Sequence, residues 1–325
     1  MISAWVRQQG GALAVVPPHH IARALADPQA LVWVDIMAED RAESEPLLRD
    51  VFKFHPLTID DCFNTLIDPP KVDDYGDYLF AIVHAVHYNA EASDLWTAEL
   101  DMFIGPNYVV SVHWSALTAV DEVRRRAENH ALVLDRGPAF LAHALFDVTV
   151  DEFHPVMDRL DEQIGALQES VIERPERPVL TELLRLKRNT QRLRRTILPQ
   201  RDVANRFARG EYGRVVSGEA LMYFRDIYDH TVRVEEMIDS VRDLAESALN
   251  TYLSSVNNKT NEVMKTLAIV TVVFLPMTLI ASVYGTNFEE TIPGYERDWG
   301  FAVMIASFIF IAGGLWAWFR SRRWL

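Results

Sequence analysis

The hydrophobic pattern is strongest near the C-terminus. From Thr266 to Phe288 no residue is charged, and Leu267–Tyr284 is one apolar run containing a single proline, Pro276. A short acidic connector leads into Trp299–Phe319, which is again uncharged. Each run spans about 18–21 residues, enough for a helix to cross a hydrocarbon core of roughly 30 Å. Upstream, apolar residues recur at helical spacing on Val150, Phe153, Met157, Leu160, Ile164 and Leu167, and again on Leu183, Leu186, Thr190, Leu193 and Ile197. A charged, double-proline stretch at Glu173–Pro178 separates the two, and Gln200–Val216, with Gly210 and Gly213, reads as a second break. A third seam, Val234, Ile238, Val241, Ala245, Ala248 and Tyr252, has no proline or glycine between Gly218 and Pro276 to stop it. One helix is expected from near the cap candidate Ser217 to Tyr284, about 100 Å long at 1.5 Å per residue.

The first part of the chain alternates differently. Ile2–Arg7, Leu31–Asp35, Leu79–Tyr88, Leu95–Ile104 and Tyr108–Trp114 are rich in β-branched and aromatic residues and read as strands. Asp40–Phe54 and Ala116–Asn129 read as helices. The expected organisation is an α/β cytoplasmic domain over 1–135, a helical region over 136–216, and a stalk helix over 217–284 that becomes the first membrane helix. A loop over 285–298, a second membrane helix over 299–319 and a basic tail over 320–325 complete it.

Charge orients the two apolar runs. Lys259 and Lys265 precede the first, and Arg320, Arg322 and Arg323 follow the second, whereas the connector carries Glu289, Glu290, Glu296 and Asp298 against Arg297. The Lys/Arg bias places both termini in the cytoplasm and the connector outside, with Tyr284, Trp299, Trp318 and Trp324 at headgroup depth. No basic segment followed by a short apolar stretch and a cleavage site opens the chain, so the N-terminal domain is expected to stay cytoplasmic. The single cysteine, Cys62, excludes an intrachain disulfide framework and is expected to be buried. A formal charge of -14 argues against nucleic acid as a partner. No nucleotide-binding glycine loop, metalloprotease histidine pair or nucleophile elbow occurs, so no catalytic activity is expected. His84 and His87 lie three apart in a strand, on opposite faces, and do not form a zinc pair.

Candidate chemistry lies along the first apolar run. Asn257, Asn261, Met264, Leu267, Thr271, Leu275, Thr278 and Ser282 follow steps of 3 and 4, one helical stripe alternating polar and apolar layers. A membrane helix needs no such stripe to act as an anchor. If the stripe lines an ion path, several copies must surround a common axis, because one hairpin cannot enclose water. The second run, with only Ser307 and Gly313-Gly314, reads as lipid-facing. The stalk carries eight carboxylates from Glu219 to Glu246, opposite a helix made basic by Arg185, Lys187, Arg188, Arg192, Arg194 and Arg195. Two readings stand: the faces are solvated and pair with each other, or some of the acids bind divalent ions, for which carboxylate oxygens are suited.

The chain resembles the CorA family of divalent-cation channels. The resemblance rests on Asn261-Glu262-Val263-Met264-Lys265, Phe274-Leu275-Pro276, Thr278 and Tyr284-Gly285-Thr286-Asn287-Phe288. It extends through His55-Pro56-Leu57, Asp60-Asp61, Tyr75-Gly76-Asp77-Tyr78 and Phe103-Ile104-Gly105-Pro106-Asn107 with His113. Thr286 stands where the family usually has methionine. The resemblance implies a funnel-shaped homopentamer in the cell inner membrane, with the first membrane helix lining a pore and no enzyme activity. Gly285, Thr286 and Asn287 would form the external selectivity loop for hydrated Mg2+. Asn257, Asn261, Thr271 and Thr278 would be polar pore positions, Met264, Leu267 and Leu275 the hydrophobic gate, and Glu289 and Glu290 would concentrate cations outside. Asn250 occupies a cytoplasmic-mouth position where some members carry aspartate. Regulatory Mg2+ would bridge Asp226 and Asp60 or Asp61, although Asp226 pairs equally well with a local arginine such as Arg225 or Arg185. Co2+ and Ni2+ are further cargo candidates. The departure at Thr286 leaves open a ZntB-like, proton-coupled Zn2+ transporter, and a membrane-anchored metal-sensing scaffold that does not conduct is the remaining alternative.

Overall fold

Alternation in the first third of the chain produces a mixed sheet with both faces covered. The computed structural model describes residues 1–8, 14–38, 41–64, 66–89, 94–129, 136–286, 298–322 and 324. Among them the strands are β1 (Ile2–Arg7), β2 (Ala14–Val15), β3 (Leu31–Met37), β4 (Lys71–Asp74), β5 (Leu79–Asn89), β6 (Asp94–Ile104) and β7 (Tyr108–His113), in the order β2-β1-β3-β7-β6-β5-β4. Only the β3–β7 pair is parallel among them. The short strands β2 and β4 escape a reading of periodicity because two and four residues carry too little pattern.

β5 shows why the central strands lack polar alternation. Leu79, Ala81, Val83 and Ala85 enter one core with α4 (Thr118–Asn129) and α5 (Pro138–Asp151). Phe80 and Ile82 enter the other with α1 (Ile21–Leu25), the α2 segment (Arg41–Pro46, continuing as a π turn over Leu47–Val51) and α3 (Pro56–Phe63). A strand buried on both faces must be apolar at nearly every position. The helix expected over Asp40–Phe54 is thus shorter, ending at the π turn, and α3 follows as a separate helix.

Several quoted motifs prove to be joints of this domain. His55 caps α3, its Nδ1 accepting the Leu57 N–H at 3.2 Å, and Pro56 takes the first turn, where a missing N–H costs nothing. The Tyr78 hydroxyl accepts the His55 N–H at 2.9 Å, tying the cap to the turn that contains Gly76, which has φ +85°. At Gly105 a Cβ would fall 2.2 Å from the Tyr108 ring, so a larger residue would have to displace that ring. Asn107 donates to the Leu25 and Asp27 carbonyls and closes the neighbouring loop.

Helices follow: α6 (Phe153–Glu173), α7 (Arg177–Ala208) and α8 (Ala220–Tyr284). The break expected from Gln200 onward is corrected, since α7 runs through Pro199 for two further turns. Val203, Ala204 and Phe207 are buried and hold those turns, and the helix stops at Gly210, whose φ of +72° forms the left-handed cap. Charges on α7 and α8 pair between the helices: Lys187 with Glu246 at 3.0 Å, Arg194 with Asp239 at 3.1 Å and Arg201 with Glu235 at 2.7 Å. These pairs are partly exposed and worth about 0–1 kcal/mol each, so they set register more than stability.

By internal contacts the chain divides into Met1–Leu249 and Asn250–Leu325. The second unit holds the C-terminal part of α8 and α9 (Asp298–Ser321), both long and apolar enough to span a bilayer. α8 continues through Pro276 without a break.

Candidate cation path and ion cluster

The polar stripe lies on the open side of α8. Asn257, Asn261, Met264, Leu267, Thr271, Leu275, Thr278 and Ser282 are all exposed, whereas Ile269, Val273, Met277, Ile280 and Tyr284 are half-buried. At 3.6 residues per turn the two stripes are about 180° apart. The face that alternates polar and apolar layers therefore points away from the face already in contact within the unit. On α9 the half-buried positions Met304, Ser307, Phe308, Ile311, Ala312 and Leu315 form a single helical stripe of their own.

The two threonine hydroxyls on the stripe are satisfied by the helix itself. Thr271 donates to the Leu267 carbonyl at 2.8 Å and Thr278 to the Phe274 carbonyl at 2.9 Å. A hydroxyl that has given its proton to the backbone presents only acceptor lone pairs. Such oxygens suit the outward-pointing hydrogens of a hydrated cation. α8 closes with the Gly285 N–H on the Ala281 carbonyl at 3.0 Å, followed by Thr286, whose hydroxyl donates to the Val283 carbonyl at 2.7 Å. Thr286 thus caps the helix end, a bond methionine cannot make. Asn287, Glu289 and Glu290 lie outside the described residues.

A second constellation forms in the N-terminal unit, and sequence reading missed it. Asp147 and Asp151 on α5 and His230 on α8 bring one donor atom each to within 4.8 Å of the others. His230 stands 3.5 Å from Asp151 through Nδ1 and 3.6 Å from Asp226 through Nε2. Burial, helped by Asp151, pushes the Asp147 carboxyl up to about 6, and burial pushes the nearby His143 down to about 4. Carboxylates with one imidazole suit Mg2+ poorly as a dry cage but suit a partly hydrated divalent ion or a borderline metal. The legible signal was two i,i+4 pairs, Asp147 with Asp151 and Asp226 with His230.

The expected regulatory residues separate within one chain. Asp226 faces His230 rather than an arginine among the described residues, and Arg185 pairs with Glu182. Asp60 accepts from Arg41 at 2.6 Å and Asp61 from Lys71 at 2.6 Å, both on α3. His84 is buried against Asp68 and His87 stacks on Trp96, so the two histidines do not converge.

Comparison with known proteins follows the same lines. The chain is 32% identical over 300 residues to the cobalt/magnesium transport protein CorA of Thermotoga maritima, covering 92% of this chain and 85% of that one. It is 28% identical over 268 residues to the zinc transport protein ZntB of Pectobacterium carotovorum subsp. carotovorum, covering 79% and 77%. The complete CorA magnesium transporter structure from Methanocaldococcus jannaschii superposes with a TM-score of 0.85 at 20% identity, over 99% of this chain and 98% of that one. The CorA-like Mg2+ transporter protein family matches residues 28–323, and its members are transporters rather than enzymes. The chain belongs to this family and is a divalent-metal-cation transporter.

Proposed function

We propose that the protein conducts Mg2+ across the cell inner membrane as a homopentamer, with both termini cytoplasmic and the exposed stripe of α8 lining the path. The observation that carries this reading is the placement of that stripe opposite the half-buried face of α8. Five copies turning this face inward would enclose rings at Thr278, Thr271, Asn261 and Asn257, separated by apolar rings at Leu275, Leu267 and Met264. Mg2+ gives up its water reluctantly, so acceptor rings that touch its hydration shell cost less than ligands that strip it. Narrow apolar rings close such a path by dewetting. At the outer end Asn287, held by Gly285 and Thr286, would select the hydrated ion, with Glu289 and Glu290 raising its local concentration.

Gating by cytoplasmic divalent ions is the second half of the proposal. An ion that binds the closed arrangement more tightly favours that arrangement. The Asp147–Asp151–His230 constellation with Asp226 is the site within one chain, and Asp60 or Asp61 from a neighbouring subunit would complete a bridge after leaving Arg41 or Lys71. Co2+ and Ni2+ fit the same path. The Zn2+ reading, with or without proton coupling, is favoured by one observation, the helix-capping Thr286, which changes the end of α8 where the selectivity loop begins.

Uptake into proteoliposomes tests both. Mg2+ flux without a pH gradient, suppressed by Mg2+ on the cytoplasmic side and lost in an assembled Asn287→Ala variant, is expected. Zn2+ uptake that grows with an imposed proton gradient while Mg2+ uptake stays small would replace the Mg2+ reading. Assembly with no flux of any ion would leave a metal-sensing scaffold.

A further inference from the structure

Behind α3 the sheet buries two acids that the transport reading does not use. Asp101 on β6 is 2% exposed, and its Oδ1 has no hydrogen-bond partner among the described residues. The Cys62 thiol of α3 lies against the same carboxyl. Glu99 stands two residues earlier on β6, hence on the same face of the sheet. Its carboxylate accepts the Asp68 N–H, and it faces His84 across the β5–β6 ladder at 3.9 Å. The charged and titratable groups turned toward the pair are Asp61 and Cys62 on α3, Asp68 before β4, Lys71 on β4 and His84 on β5. Lys71 gives its ammonium to Asp61 at 2.6 Å, and its charge eases ionisation of Glu99 without outweighing burial.

We infer that Glu99 and Asp101 form a proton-binding site whose occupancy holds α3 against the sheet. An ionised carboxylate buried without a cation costs far more than a neutral one, and a second carboxylate on the same face raises that cost. The pair therefore keeps protons that free carboxyls would release. α3 meets the sheet through Ile59, Cys62 and Phe63, and the Trp114 indole N–H fixes the Cys62 carbonyl at 3.0 Å. When the pair ionises, relief comes from water entering beside Cys62, the one side of the pair formed by a short helix rather than by the ladder. α3 is also the helix whose outer surface carries Asp60 and Asp61.

Titration directions agree with the geometry. Burial pushes Asp101 up to about 8 and Glu99 up to about 7. Burial lowers His84, so it does not supply a compensating charge, and burial raises Cys62, which stays a thiol. Folded-state values above the free carboxyl values of about 4 mean that stability is fully present below about pH 4 and is lost as pH rises toward 7–8. Each proton retained by the folded form alone changes the folding equilibrium about tenfold per pH unit.

The test uses full-length protein in nanodiscs with divalent ions chelated. Thermal unfolding and amide hydrogen exchange over 56–63 are followed from pH 6 to 8.5 for wild type, Asp101→Asn and Asp101→Asn/Glu99→Gln. Wild type should lose melting temperature with rising pH and expose α3 amides faster than intrinsic exchange predicts, and the double variant should flatten the α3 trend and reduce the melting slope. An unchanged pH slope in the double variant overturns the inference. If the variants do not fold, equal α3 protection in wild type at pH 6 and 8.5, after correction for intrinsic rates, overturns it as well. Neither readout involves ion flux, so the outcome is independent of the transport reading.

Discussion

Gln200 offers a sharp test of how the helical region is fastened to the sheet. β4 pairs with β5 only as far as Ile82, so from His84 onward no strand among the described residues lies beside the outer edge of β5. Gln200, fully buried on α7, replaces that strand with its amide: the His84 N–H donates to Oε1 at 2.8 Å and Nε2 donates to the His84 carbonyl at 3.3 Å. Gln200→Leu keeps the volume and leaves both backbone groups unpaired. Each unsatisfied buried group costs about 1–3 kcal/mol, and the added apolar burial of leucine returns about 1–2 kcal/mol. At central values, about 4 kcal/mol lost against about 1.5 returned, the net loss is about 2.5 kcal/mol, an apparent Tm decrease of roughly 5–10 °C for a unit of this size. Differential scanning fluorimetry at fixed pH and divalent concentration measures it, with the exposed Gln191→Leu on the same helix as control. A Gln200→Leu melting temperature within about 2 °C of the control would refute the reasoning, because the β5 edge would then be satisfied without the glutamine.

Two further outcomes concern the ions. Wild-type protein should be stabilised by Mg2+ or Co2+, by about 1.4 kcal/mol at ten times the dissociation constant, and Asp147→Asn/His230→Ala should lose most of that increment while keeping its ion-free Tm. A full increment in the variant, measured by the same melting assay, would remove the Asp147–Asp151–His230 constellation as the gating site. On the pore stripe, Thr278→Val should lower flux several-fold while Thr278→Ser preserves it, since the serine hydroxyl retains the bond to the Phe274 carbonyl and its acceptor lone pairs. Equal flux in the valine and serine variants would show that Thr278 does not face the ion.

What the sequence determined by itself is what depends on local spacing. The apolar runs over Leu267–Tyr284 and Trp299–Phe319, the five longer strands and the uninterrupted course of α8 follow from period and from where proline and glycine occur. The polar stripe of α8 was legible for the same reason, because residues 3 and 4 apart share a helical face whatever surrounds them. Gly210 and Gly213 drew the expected break back to Gln200, whereas tertiary burial of Val203, Ala204 and Phe207 carries α7 on to Ala208. Convergence of separate elements was decided only in the fold. Asp147 and Asp151 lie some eighty residues from His230 in sequence, and no periodicity links α5 to α8. The Gln200 amide met the His84 backbone only because β4 ends early, and Asp101 became a buried acid only because α3 covers it. Helical and strand periods are properties of one segment, whereas burial and the meeting of charges are properties of which segments pack together.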